Sequence, residues 1–101
     1  MTPDDMVVVD SEGKIIEGDR GPSSDTASHL YVYRRRDDIR SIVHTHSTFA
    51  TAWAATGQDI PYSLAAVADE FGGPVPCAGY AHIGTEQIGE QVMRFIDQCP
   101  A

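Results

Sequence analysis

The stretch Ser41-Ile42-Val43-His44-Thr45-His46-Ser47 places two histidines, one residue apart, at the end of a β-branched run. Such a run predicts the end of a buried strand. Side chains at positions i and i+2 of a strand project from the same face, so we expect both imidazoles to point to one location. This arrangement presents two metal ligands from a rigid element. Two core histidines that hydrogen-bond to backbone groups are the alternative interpretation.

Size and composition restrict the class of protein. The chain has 101 residues, 42% of them hydrophobic, and a formal net charge of -8, which indicates one small domain and opposes nucleic acid as a partner. No apolar run approaches the roughly 18 residues of a membrane span, and the acidic start is unlike a signal peptide. Cys77 and Cys99 form no C-x-x-C pair, so we expect free thiols, Cys77 in the core. These features predict a cytoplasmic protein without a membrane or nucleic-acid partner.

The rest of the chain alternates strand and helix signals, which predicts an α/β layered sheet. The first two predicted strands form a hairpin, and a third predicted strand is short and apolar. Three other segments have the apolar spacing of a helix and a capping residue at the start. Apolar stripes predict which helix faces are buried. The predicted hairpin joins Met6–Asp10 to Ile15–Glu17, and the later strand is Val75–Ala78; the helices follow Ser23 or Ser24 (apolar stripe Ala27, Leu30, Tyr31), Ser47 (core face Phe49, Ala52, Trp53) and Thr85 (stripe Ile88, Val92, Phe95, Ile96).

Asp25 is the first candidate to complete a metal site with His44 and His46. It stands at the start of a helix just before the histidine strand, so its carboxylate can return to the end of that strand, as a ligand or as a base beside the metal. A catalytic zinc site takes three protein ligands and keeps one position open. An ordinary residue at a helix start explains Asp25 equally well.

The other polar candidates also have two interpretations. Ser23 and Ser24 are either helix caps or, with the free amides of a helix N-terminus, a phosphate site. Asp69 and Glu70 follow an apolar run, which allows a carboxyl in a cleft with a raised pKa, although a solvated loop is favoured on spacing alone. For His29 a structural hydrogen-bonding role is favoured over that of a third metal ligand, and His82 is expected to face solvent.

Several motifs in order resemble the class II aldolase/adducin family, in its L-ribulose-5-phosphate 4-epimerase branch. The resemblance covers almost the whole chain, and the separation between Asp25 and His44 fits the family pattern. The motifs are Pro22-Ser23-Ser24-Asp25-Thr26-Ala27-Ser28-His29, Ile42-Val43-His44-Thr45-His46-Ser47, Ala50-Thr51-Ala52-Trp53-Ala54 and Ala68-Asp69-Glu70-Phe71, with Ile60-Pro61 and Pro76-Cys77 as landmarks.

The resemblance implies a role for each matching residue. Ser23 and Ser24 match the pair that holds the substrate phosphate, and His44 and His46 match two zinc ligands. Asp25 matches the acidic position on or beside the metal, and Asp69 matches the acid/base that shuttles a proton in the epimerases. The implied reaction is retro-aldol cleavage of a phosphorylated ketose, followed by re-addition of the aldehyde on its other face. The implied cofactor is Zn²⁺ or another divalent metal.

The resemblance also implies an architecture and its limits. It predicts a layered α-β-α fold and a homotetramer in which residues 1–101 form a single, incomplete domain, the central portion of the enzyme. The family's third histidine ligand and C-terminal tyrosine have no counterpart in the sequence. Asp25 with Asp69 favours an epimerase, whereas Gly79-Tyr80-Ala81-His82-Ile83-Gly84 is more similar to the L-fuculose-phosphate aldolases. An aldolase and a non-catalytic, adducin-like interaction module are therefore the alternatives.

Overall fold

A short antiparallel hairpin forms near the start of the chain. In the computed structural model, which describes residues 2–98, β1 (Val8–Val9) pairs with β2 (Ile15–Glu17). The Asp10 carboxylate accepts the backbone N–H groups of Glu12 and Lys14 at 3.0 and 2.9 Å. These bonds close the turn, because an Asp side chain can replace backbone acceptors in tight turns. The predicted hairpin is confirmed.

The described chain divides into two compact units. The first contains residues 2–42 and 81–90, and the second contains residues 43–80 and 91–98. The element order mixes helices with strands, which is compatible with the α/β class. Within residues 2–98, no helix combines the length and the apolar composition that crossing a bilayer requires.

The first helix, α1 (Thr26–Tyr33), buries a face other than the predicted one. Its buried residues are Ser28 and Val32, exposed by 2% and 3%, whereas the expected stripe of Ala27, Leu30 and Tyr31 is only half-buried. The reason is a glycine at position 89, which lets another backbone approach the small side of α1. The predicted burial of this helix was therefore wrong.

Three further helices follow: α2 (Thr48–Ala54), α3 (Ala65–Phe71) and α4 (Gln87–Phe95). Glu86, and not the predicted Thr85, directly precedes the first residue of α4, although the Thr85 hydroxyl accepts the Gln87 amide at 3.3 Å. The predicted core face of α2 is wrong, since Phe49 is 87% and Trp53 38% exposed. The Trp53 indole N–H instead donates to the backbone carbonyl oxygen of Asp59, in the segment after α2, at 2.7 Å.

Two predicted strands are absent among the described residues. Residues 41–47 have no regular secondary structure, and Val43 is 87% exposed. The expected strand Val75–Ala78 is reduced to one antiparallel bridge between Ile60 and Val75. A strand requires a neighbouring backbone that pairs its N–H and C=O groups, and the sheet of residues 2–98 contains β1 and β2 alone. Both strand predictions, including the buried histidine strand, were therefore wrong.

Candidate functional site

The two histidines of the H-x-H motif lie side by side. The His44 and His46 rings are parallel within 9°, and their centroids are 5.2 Å apart. Both side chains are exposed. The expectation that both imidazoles leave the same side of the chain is confirmed, although the segment is not a strand. The parallel rings show this relationship directly.

The spacing of this pair suits a shared metal ion. One ring nitrogen of His44 and one of His46 lie within 4.8 Å of each other. Zn–N bonds are about 2.0–2.1 Å long, so two nitrogens on one tetrahedral zinc are about 3.4 Å apart. The limit of 4.8 Å includes this separation. Neutral imidazole is the commonest metal ligand in proteins, so the pair fits a divalent cation.

The segment before α1 contains the candidate phosphate and carboxylate groups. The Ser23 hydroxyl accepts the Asp25 amide at 3.2 Å and donates to the Asp25 carboxylate at 3.4 Å. The Thr26 amide donates to the Ser23 carbonyl oxygen at 3.1 Å. These bonds form a tight turn from which α1 continues, with Ser23 and Ser24 exposed and Asp25 half-buried.

Asp25 itself, and neither serine, occupies the position that precedes the first helical residue. The predicted cap at Ser23 or Ser24 and the predicted place of Asp25 inside the first turn are therefore corrected. Among the described residues, the Asp25 side chain makes no capping hydrogen bond to the helix. A carboxylate at this position usually caps the first amides of a helix, whereas the Asp25 carboxylate accepts the Ser23 hydroxyl at 3.4 Å.

The other candidate residues lie on α1, on α3 and in the loop before α4. Asp69 and Glu70 are exposed on α3 (Ala65–Phe71), so they are solvated as expected on spacing alone but lie in a helix and not in a loop. His29 is half-buried on α1, and His82 is exposed in the loop before α4. Cys77 has a free, half-buried thiol, and Cys99 lies outside the described residues.

A cavity of about 330 Å³ opens beside α2. Its apolar wall includes Trp53, Ile60 and Val75, and Cys77 is the titratable group that lines it. None of its lining residues is a predicted site residue. The cavity is thus no part of the proposed phosphate and metal chemistry.

Sequence reasoning missed the residues that fix α1. The Ser28 hydroxyl donates to the Thr85 carbonyl oxygen, and Gly89, which has no side chain, lies close to the Ser28 carbonyl oxygen. Arg34 pairs with Glu86 and donates to the Ser11 carbonyl oxygen at 2.8 Å. Small residues at Ser28 and Gly89 were the available signal, but a sequence does not reveal which glycine faces which helix.

The comparison with known families agrees with these observations. Residues 1–101 match the family model described as Class II Aldolase and Adducin N-terminal domain. The chain belongs to the class II aldolase/adducin family. Class II aldolases are generally enzymes and typically use a divalent metal, which is the kind of ligand that the parallel His44 and His46 rings fit. The family resemblance of the sequence motifs is therefore confirmed at the level of the family.

Proposed function

We propose that this chain is the metal-binding part of a phosphoketose 4-epimerase of the class II aldolase family. The observation that carries the proposal is the parallel pair of imidazoles at His44 and His46, in a chain that matches this family throughout. Two imidazoles and one carboxylate form a typical donor set for a catalytic zinc ion. We assign the carboxylate to Asp25, whose side chain does not cap α1.

The metal supplies a positive charge that polarises the carbonyl and hydroxyl oxygens of a bound ketose. His44, His46 and Asp25 hold the ion, and Zn²⁺ is the proposed metal. Manganese and iron suit the same ligands. The exposed rings of His44 and His46 are accessible to substrate oxygens.

Ser23 and Ser24 are the proposed phosphate ligands. Both are exposed and directly precede the eight-residue helix α1. Hydroxyls and amide N–H groups at a helix N-terminus favour a phosphate group. This local attraction has to overcome the formal net charge of -8, which repels an anionic substrate at long range. We therefore expect phosphate binding to strengthen when the metal is present.

Asp69 is the proposed acid/base. It removes the proton of a substrate hydroxyl as the carbon–carbon bond breaks and returns a proton after the aldehyde is re-added. Its exposed place on α3 gives it access to solvent protons. The proposal also includes a layered α-β-α fold, a homo-oligomer and a cytoplasmic location, as in the family that the motifs resemble.

An aldolase acting on L-fuculose 1-phosphate is the second candidate. The segment Gly79-Tyr80-Ala81-His82-Ile83-Gly84 favours it. In that reaction the aldehyde leaves, whereas in the epimerase it is re-added. A non-catalytic, adducin-like interaction module is the third candidate, and it predicts no metal requirement.

Zinc titration separates the enzyme from the interaction module. We expect isothermal titration to give a dissociation constant of about 1 µM or tighter. His44→Ala and His46→Ala should abolish this binding. His82→Ala, an exposed histidine outside the proposed site, is the matched control and should bind zinc normally.

Activity assays then separate the two reactions. The chain, and the longer protein if one contains it, is assayed on L-ribulose 5-phosphate and L-fuculose 1-phosphate, with and without a chelator. Chelator-sensitive epimerisation of the ribulose supports the proposal, and cleavage of the fuculose supports the aldolase. Activity that survives chelation, or no turnover of either ketose, would contradict both.

A further inference from the structure

Helix α1 is held in place by residues that come more than fifty positions later. The Ser28 hydroxyl donates to the Thr85 carbonyl oxygen at 3.0 Å, and Ser28 is only 2% exposed. Buried hydroxyls without a partner cost free energy. This hydrogen bond therefore fixes the rotation of α1 about its axis as well as its distance from residue 85.

Gly89 makes an even closer contact with the same turn of α1. A Cβ atom at position 89 would lie 2.6 Å from the Ser28 carbonyl oxygen and 2.8 Å from the Tyr31 Cβ. Both distances are shorter than real Cβ contacts, and both involve atoms that cannot rotate away. Any side chain at position 89 must push α1 outward.

The far end of α1 is also held, by Arg34. Its guanidinium pairs with Glu86 and donates to the Ser11 carbonyl oxygen at 2.8 Å. The helix is therefore held from Ser28 to Arg34. Helical hydrogen bonding continues back to the first turn, where the His29 amide donates to the Asp25 carbonyl oxygen at 3.1 Å.

We propose that Ser28 and Gly89 are positioning residues for the phosphate-binding turn at Ser23 to Asp25. The proposal rests on the proposed function, which assigns phosphate to Ser23 and Ser24. Ser28 lies three residues after Asp25, within one helical turn, so a displacement of α1 at Ser28 is transmitted directly to the turn. A misplacement of about 1 Å can lower the rate at a catalytic site about a hundredfold.

The test uses inorganic phosphate and ¹⁵N-labelled chain. Gly89→Ala displaces α1, Ser28→Ala removes the hydroxyl donor, and Ser28→Thr keeps it. Gly73→Ala is the matched control, because a Cβ at position 73 would meet no atom within 4 Å. Amide shifts of residues 23–26, the phosphate dissociation constant and the urea midpoint are measured for each variant.

We expect Gly89→Ala and Ser28→Ala to shift the amides of residues 23–26 and to weaken phosphate binding by about tenfold or more. Ser28→Thr should retain most of the affinity, and Gly73→Ala all of it. If Gly89→Ala does not fold, Ser28→Ala decides the question. A merely structural role lowers the urea midpoint and leaves the affinity of the folded protein unchanged, and that result would overturn the proposal.

The same data distinguish this proposal from the proposed function. If the unsubstituted chain binds no phosphate, the assignment of Ser23 and Ser24 fails. The amide shifts of residues 23–26 then decide alone whether Ser28 and Gly89 position the turn. Shifts no larger than those in Gly73→Ala would overturn the positioning role.

Discussion

The Asp59 carboxylate accepts the Cys77 backbone amide at 2.7 Å. The backbone carbonyl oxygen of Asp59 accepts the Trp53 indole N–H, also at 2.7 Å. Asp59 thus links Trp53, near the C-terminal end of α2, to Cys77. The antiparallel bridge between Ile60 and Val75 directly follows Asp59 in the sequence. Both bonds lie within the second compact unit, where they replace the sheet contacts that the sequence predicted.

Removal of this carboxylate should loosen the second unit. We expect Asp59→Ala to lower the free energy of unfolding by about 1 kcal/mol, because the Cys77 amide loses its acceptor. Urea unfolding followed by the fluorescence of Trp53, the single tryptophan, measures the change. Asp19→Ala, at an exposed loop position, is the control and should change stability by less than about 0.5 kcal/mol. Equal effects of the two substitutions would show that the Asp59 bond is unimportant.

Gly18 should tolerate no side chain. Its φ angle is +99°, and a Cβ atom there would lie 2.7 Å from the Met6 carbonyl oxygen. Gly18→Ala therefore combines backbone strain with a backbone clash, and we expect a loss of about 1–3 kcal/mol. Gly21→Ala is the control, since nothing lies within 4 Å of its Cβ position and its φ is not positive. Comparable thermal midpoints for the two variants would contradict this explanation.

Asp38 should titrate at unusually low pH. Its side-chain hydrogen bonds with Arg36, at 2.8 and 2.7 Å, lower the pKa of the carboxyl to about 2, with help from its own backbone amide. Because the folded pKa is below the ordinary value of 3.8, the stabilisation is complete above that pH and disappears as the pH falls through about 2. Carboxyl ¹³C shifts measure the midpoint.

The control for this titration is the variant Arg36→Gln. It removes the guanidinium, so the midpoint of Asp38 should move up toward 3.8. A wild-type midpoint already near that value would show that the Arg36 pair does not persist in solution. Because Asp38 is exposed, added salt should also raise the midpoint by screening the pair.

Asp25 and Asp69 should separate metal binding from proton transfer. We expect Asp25→Asn to weaken zinc binding by more than about a hundredfold, because losing a direct ligand costs more than the roughly tenfold to hundredfold typical of losing an outer-shell partner. Asp69→Asn should leave the zinc affinity unchanged and abolish turnover in an active protein. Zinc titration and the epimerase assay measure the two effects. Equal loss of zinc binding in both variants would refute the assigned roles.

Local chemistry allowed part of this structure to be predicted. The turn around Asp10 and Gly13 depends on neighbouring residues alone, so the hairpin was predicted correctly. The spacing of His44 and His46 predicted that their rings lie together, and the parallel rings confirm this. The family motifs were confirmed as a family match, whereas the epimerase branch and the roles of Ser23, Ser24, Asp25 and Asp69 remain predictions.

Only the tertiary structure decided which surfaces are covered. The apolar stripe of α1 was less buried than Ser28 and Val32. The reason is that Gly89, which has no side chain, brings its own backbone close to Ser28. Residues 41–47 had strand-forming composition, but a strand exists only when a second backbone satisfies its hydrogen bonds. Sequence alone therefore determined the local turns and the direction of the histidine rings, and packing determined burial and pairing, since both depend on residues distant in the chain.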